Sequence, residues 1–268
     1  MAAIQRSLAL VAVLLVAGCA TSVPTQALNE ESANAVRTVA VIVPPDPLEY
    51  AVFMNGHPGL AFGLIGGAIA GADQVQKSKQ YTVAVQSAKF SLSGTLGQAM
   101  VEKLTAAGYE ARLEQGPWEL EEGALAKRYR LQFDRIQSDA DAVLVVMPVF
   151  VGYMAASPVS PYLPTVRVFA RLLAKDRKTD LYRGAHFVGA QPTFGEGWKK
   201  SADLAAKFST FDTLIAQTGE SVQALHASVQ AISLHIAQDL RRKSVVAAPT
   251  AVGGTREEAL PGAPATAD

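Results

Sequence analysis

Cysteine is nearly absent from this chain of 268 residues, which holds a single thiol at Cys19. One thiol cannot form an intrachain disulfide framework, and a structural zinc site of several thiolates is excluded. An excess of either charge is missing as well, because 24 Lys and Arg balance 24 Asp and Glu to a formal net charge of +0. No net field therefore draws the chain to nucleic acid or to an anionic surface, and nucleic acid is not an expected partner. The amino-terminal apolar run from Leu8 to Val16 is also too short for a permanent span, since crossing a hydrocarbon core of about 30 Å takes about 20 helical residues.

Apolar residues are plentiful, at 49% of the chain against 18% charged. That balance fits a globular core with one or two unusually hydrophobic segments. Domains usually run to roughly 100–200 residues, so the length provides for one main domain once the two ends are set aside.

The amino terminus has the layout of an export signal. A short polar start with Arg6 leads into the apolar run, which closes with Ala17 and Gly18 directly before Cys19. The segment Val16-Ala17-Gly18-Cys19 resembles the lipobox of bacterial lipoproteins, an aliphatic residue and two small ones before the modified cysteine. The resemblance implies that residues 1–18 are a signal peptide, that Cys19 becomes the first residue of the mature chain, and that its sulfur carries a diacylglycerol. Each buried methylene of such an anchor contributes about 0.8 kcal/mol, so two or three acyl chains hold stably where one binds marginally. Ala20, where an aspartate commonly signals inner-membrane retention, implies the outer membrane, with the domain facing the periplasm. Residues 19–36 are small and polar, include Pro24 and read as a flexible tether.

A single α+β domain is expected over 37–243, with a mixed sheet of about five strands. Arg37–Val43 is a β-branched run stopped by Pro44, Pro45 and Pro47, and reads as the first strand. Leu92, Leu96, Met100 and Leu104 recur at spacing four, which predicts a helix over Ser91–Ala107 ended by Gly108. Tyr109–Leu113 returns as a short strand, and the charged stretch Glu119–Ile136 has the composition of an exposed helix. Ala142–Val151 is apolar throughout and belongs in the sheet centre. Thr165–Ala174 and Leu181–Ala190 form an antiparallel pair around the polar turn Lys175–Asp180.

A final helix over Thr210–Arg242 starts at a capping-box pattern, Ser209 with Asp212. Its stripe runs from Phe208 through Phe211, Ile215, Thr218, Val222, Leu225, Val229 and Ile232 to Ile236 in steps of three and four. Such a stripe suits either a helix lying across the sheet or the seam of a coiled coil. The Ala-, Pro- and Gly-rich residues 244–268 read as a disordered tail. The element order over Arg37–Arg242 resembles the α/β domain of the curli-secretion lipoprotein and of the amino-terminal domain of the Tol translocation protein B, with 46–86 departing as an insertion.

Within that insertion Gly59, Gly63, Gly67 and Gly71 recur every four residues among apolar neighbours. On a helix they form a stripe without side chains, which lets another backbone approach closely. The pattern resembles the glycine zippers of outer-membrane lipoproteins and marks a surface for packing against membrane, partner or own core. Leu60–Ala72 would be about 20 Å long as a helix, short of a span.

No catalytic set emerges. His226 and His235 fall on opposite sides of one helix, and His57 and His186 stand alone. Ser93 lacks the flanking glycines of a nucleophile elbow, no Lys-Ser/Thr pair closes a phosphate loop, and Asp134, Asp139 and Asp141 read as a polar loop. Tyr153, Tyr162, Phe194 and Trp198 fall in Pro- and Gly-containing connections after the central strands, where they suit either a partner surface or the core. The sequence thus leads to a non-enzymatic envelope lipoprotein without cofactor or metal, anchored to the membrane and contacting envelope proteins or copies of itself. An oligomeric secretion or transport component is the first alternative, and an envelope hydrolase the second.

Overall fold

A computed structural model describes residues 24–59, 63–122, 127–192 and 197–242. Cys19, the signal segment 1–18 and the tail 244–268 lie outside the described residues. The elements run α1 (Glu30–Ala35), β1 (Thr38–Ile42), β2 (Ala51–Met54), α2 (Gly63–Ser87), α3 (Leu92–Ala106) and β3 (Glu110–Leu113). They continue with β4 (Trp118–Glu122), β5 (Lys127–Leu131), a 3-10 turn (Phe133–Arg135), β6 (Ala142–Ala155), β7 (Tyr162–Ala174), β8 (Asp180–Val188) and β9 (Trp198–Ala202). Two helices end the chain, α4 (Phe211–Ala216) and α5 (Thr218–Asp239).

The fold is α+β, with a mixed sheet of seven strands in the order β3-β1-β6-β7-β8-β9, and β2 beside β1 along the same edge of β6. Seven rather than about five strands arise because β2 and β9 join at the margins. β2 pairs parallel with Gly152–Ala155 and β9 parallel with Ala185–Val188. Gly152 has φ +148, and a Cβ there would collide with the Ala51 carbonyl, so only glycine lets β2 close on β6.

One sheet face carries the main core. Val39, Val41, Leu144, Val146, Tyr153, Val168, Leu172 and Tyr182 pack with Leu96, Met100 and Leu104 of α3 and with Leu225, Val229, Ile232 and Ile236 of α5. The regular stripe of the last helix is therefore consumed by its own sheet, and the coiled-coil alternative is not realised. That helix is also broken: Gln217 leaves helical geometry between α4 and α5, with Thr218 Oγ1 donating to the Ile215 carbonyl. Its cap is Thr210, whose side chain accepts from Thr213 N, rather than Ser209.

The other face is only partly covered. The segment read as an exposed helix over Glu119–Ile136 is instead the antiparallel hairpin β4–β5 followed by the 3-10 turn. Trp118 and Leu131 at its base pack with Ile136, Phe133 and Met147 on Ile42, Val143, Val145 and Leu173. Across the ladder Glu121 pairs with Arg130 at 3.0 Å and Glu122 with Lys127 at 2.8 Å, so the charges that favour a helix by composition serve as cross-strand pairs.

Part of the expected tether is docked. Gln26 exchanges both backbone hydrogen bonds with Arg183 at 2.9 Å, and its side chain donates to the Asp180 carbonyl at 2.8 Å. Glu30–Ala35 then forms α1, capped by Asn29.

Candidate functional site

Helix α2 carries the glycine pattern and has two unlike halves. In its second half Ser78, Tyr81, Thr82 and Val85 are buried. The Ser78 and Thr82 hydroxyls accept from the backbone of Val52 and Tyr50, both at 2.9 Å, so they satisfy the edge of β2 that no strand pairs. Tyr81 meets Tyr153 edge-on at 5.4 Å, and both phenols hydrogen-bond Ser221. Burial pushes both phenols well above their ordinary range.

The first half projects past β2. Gly63 and Tyr81 stand about five turns apart and so share one line of the helix, as do Gly67 and Val85. The glycines thus extend the core-facing line past the core: among the described residues, a Cβ at Gly67 or Gly71 would have no atom within 4 Å. Beside them Ile65 and Ile69 are 78% and 62% exposed. Among the described residues these two glycines therefore make no close core contact. Gly59 departs from the stripe, since it sits in a turn before α2 with its amide donating to His57 Nδ1 at 3.1 Å. His57 Nε2 meets Asp73 at 3.2 Å, and Lys77 holds the same carboxylate at 2.7 Å. Among the described residues no helix is long and apolar enough to cross a membrane.

A polar cluster lies between β8, β9 and the end of α5. Tyr182 Oη meets His186 Nε2 at 2.7 Å and donates to Asp239 at 2.9 Å, while Lys199 pairs with the same carboxylate. The His186 and His235 rings meet edge-on at 5.0 Å, and His235 Nδ1 meets Ser201 Oγ at 3.1 Å. Burial pushes His186 down to about 4. Burial alone would raise Asp239, but the Lys199 ammonium and Tyr182 hydroxyl outweigh it and hold the carboxyl below its usual range. His186 is fully buried, so no substrate reaches its ring, and the cluster ties α5 to the sheet. Sequence spacing could not find it, because its members sit on separate elements joined only by the sheet register.

The remaining sequence candidates have structural tasks. Asp141 accepts from the Arg37 and Thr38 amides, both at 2.9 Å, and these bonds hold its carboxyl low. Asp139 pairs with Arg112, and Asp134 lies in the 3-10 turn. Ser93 donates its amide to Asp46 at 2.7 Å beside the Ser91 cap of α3. Tyr153 and Tyr162 are core residues, Trp198 opens β9 against Phe169 at 5.0 Å, and Phe194 lies outside the described residues. No three His, Cys, Asp or Glu side chains among the described residues gather as metal ligands.

The glycine-bearing half of α2 is thus an exposed stretch on an α+β scaffold. No protein-family model matches the sequence. No curated protein matches it. Among solved structures, a PelC dodecamer from Paraburkholderia phytofirmans is similar at 11% identity, covering 82% of this chain and 96% of the other with a TM-score of 0.34. A second crystal form of that dodecamer gives 10% identity, 82% and 96% coverage and a TM-score of 0.33. A Xanthomonas campestris protein of the DUF330 family gives 11% identity, 81% and 87% coverage and a TM-score of 0.37.

Proposed function

We propose that this chain is a lipid-anchored lipoprotein of the cell envelope that serves, without catalysis, as a structural or accessory component of a membrane assembly. The observation that carries the reading is the segment Val16-Ala17-Gly18-Cys19 after its apolar run, which places one thiol where a lipobox places the acylated cysteine. The anchor sits in the outer membrane, as Ala20 after the cysteine favours, and the domain faces the periplasm.

The glycine-bearing half of α2 is the packing surface. Gly67 and Gly71 each cost about 1 kcal/mol relative to Ala in a helix interior and meet no other part of the described residues. A second copy of the chain, docked along the stripe between Ile65 and Ile69, supplies the missing contact. The test compares membrane fractions and co-purifying proteins of the unaltered chain with those of Cys19→Ser. The variant leaves the membrane fraction and loses its envelope partners; unchanged fractionation and partners would refute the reading.

A further inference from the structure

Two stretches of the chain, 51–72 and 149–166, hold no Asp, Glu, Lys or Arg, although such residues make up 18% of the whole. The fold brings parts of both to one end of the molecule. β2 stops beside β6 with Met54 opposite Ala155, and the Asn55 amide donates to the Ala155 carbonyl at 2.9 Å. The turn that follows lies against the β6–β7 loop, where a Cβ at Gly56 would stand 3.9 Å from Pro158 Cδ. α2 passes the same turn, since the Gln74 side chain donates to the Met54 carbonyl at 3.1 Å and Asp73 meets His57. Toward the start of α2, Ala70 is the last described side chain that is buried.

Large apolar side chains stand outermost at this end. Val159 in the β6–β7 loop is 94% exposed, Ile65 and Ile69 project on α2, and Phe53 is exposed on β2. Single exposed apolar residues are ordinary on a protein surface, whereas a group of them with no charge interspersed marks a contact. At about 100° per residue, Ile65 and Ile69 lie about 160° round the helix from Gly67. A second copy packed on the glycines therefore leaves both isoleucines uncovered, and a medium that surrounds the helix covers them where a partner on one side does not. Bilayer hydrocarbon is such a medium. The depth agrees as well: from Gly63 to Asp73, the first charged residue of α2, the helix advances about 15 Å, half of a hydrocarbon core of about 30 Å. At that level His57, Asp73 and Lys77 form a polar collar of the kind a headgroup zone accommodates.

We propose that this charge-free end of the domain, with Ile65, Ile69 and Val159 outermost, dips into one leaflet of the lipid bilayer and sets His57, Asp73 and Lys77 at headgroup level. The immersed area is small, so the contact orients the domain rather than holding it. The proposal rests on the lipid anchor at Cys19, which keeps the domain at the membrane.

Lipid on the one native cysteine leaves an introduced thiol as the only site for a label. The full lipidated protein carries an environment-sensitive fluorophore at Ile65→Cys, at Val159→Cys or, as control, at Leu234→Cys on the outward side of α5, all three at exposed positions. Each is placed in vesicles of phosphatidylethanolamine and phosphatidylglycerol, with and without nitroxide on the acyl chains. The nitroxide quenches the labels at Ile65→Cys and Val159→Cys severalfold more than the control, and aqueous iodide quenches the control alone. Equal responses at the three positions, or labels at Ile65→Cys and Val159→Cys that iodide reaches, overturn the proposal. Labels shielded from iodide yet not reached by nitroxide, as a protein partner or a second copy on this end would give, overturn it too. Mass spectrometry of the same sample separates the two failures: a lipidated Cys19 with no nitroxide quenching at Ile65→Cys removes this orientation alone, and a bare Cys19 removes the anchor and the orientation with it.

Discussion

Tyr182 and His186 meet at 2.7 Å on the helix-covered face of β8, and Gly184 between them is the reason they can. A Cβ at Gly184 would lie 2.1 Å from Tyr182 Oη and 2.7 Å from His186 Nε2. Gly184→Ala therefore forces the pair apart and disturbs the Asp239 and Lys199 bonds that hold the end of α5. Overpacking of this kind costs about 1–3 kcal/mol, and about 2–4 °C of melting temperature accompanies each kcal/mol for a domain of this size. Thermal unfolding of the variant should show that drop, and an unchanged midpoint would contradict the packing described.

The same histidine gives the fold an acid limit. An unfolded chain protonates His186 near pH 6.5, whereas the folded chain resists until about 4, because burial disfavours the imidazolium more than Asp239 favours it, with His235 and Lys199 opposing it too. Between those values the unfolded state binds more protons, so the contribution is complete above about pH 6.5 and is lost as the pH falls toward 4. The loss amounts to about 3 kcal/mol at full extent. Denaturant titrations at stepped pH should show this slope, and His186→Gln should flatten it.

Asp141 ties two strands by their ends. It accepts from Arg37 and Thr38 at the start of β1, and its own amide donates to Thr38 Oγ1 at 2.8 Å. Asp141→Ala leaves the part-buried Thr38 amide without its acceptor, while the exposed Arg37 amide turns to water, and should cost about 1 kcal/mol. Urea unfolding measures it, and a cost near zero would show that water replaces the carboxylate freely.

Alanine at the projecting glycines separates monomer stability from assembly. Among the described residues nothing meets a Cβ at Gly67 or Gly71, so Gly67→Ala and Gly71→Ala should each raise the stability of the isolated chain by up to about 1 kcal/mol. Gly63→Leu with Gly67→Leu should leave the sheet folded while reducing oligomer size and loosening membrane association. Unchanged oligomer size and unchanged extraction from membranes would reject the packing role.

Much of the sheet was legible because its strands carry their own signal. The β-branched run before Pro44 and the apolar stretch from Ala142 needed no tertiary help to be read, and β7, β8 and α3 followed from alternation and spacing. β2 and β9 were not legible: Ala51–Met54 is held by Gly152 and by hydroxyls of α2, and the Trp-Lys-Lys-Ser-Ala sequence of β9 is extended only because β8 offers an edge. The hairpin β4–β5 shows composition misleading, since Glu, Leu, Lys and Arg favour a helix locally while Trp118, Leu120, Tyr129 and Leu131 alternate at a strand period. The glycine stripe was visible as a pattern, but its projection past β2 depends on where Ser78 and Thr82 fasten the helix. Contact between His186 and His235 lies beyond sequence reach, because it depends on how α5 crosses the sheet.

Acylation of the Cys19 sulfur fixes where the protein resides and which neighbours it meets. Intact mass measurement and fragmentation of the polypeptide purified from membranes should give a chain beginning at Cys19 with a diacylglyceryl thioether. A free thiol at Cys19, or residues 1–18 still attached, would contradict it.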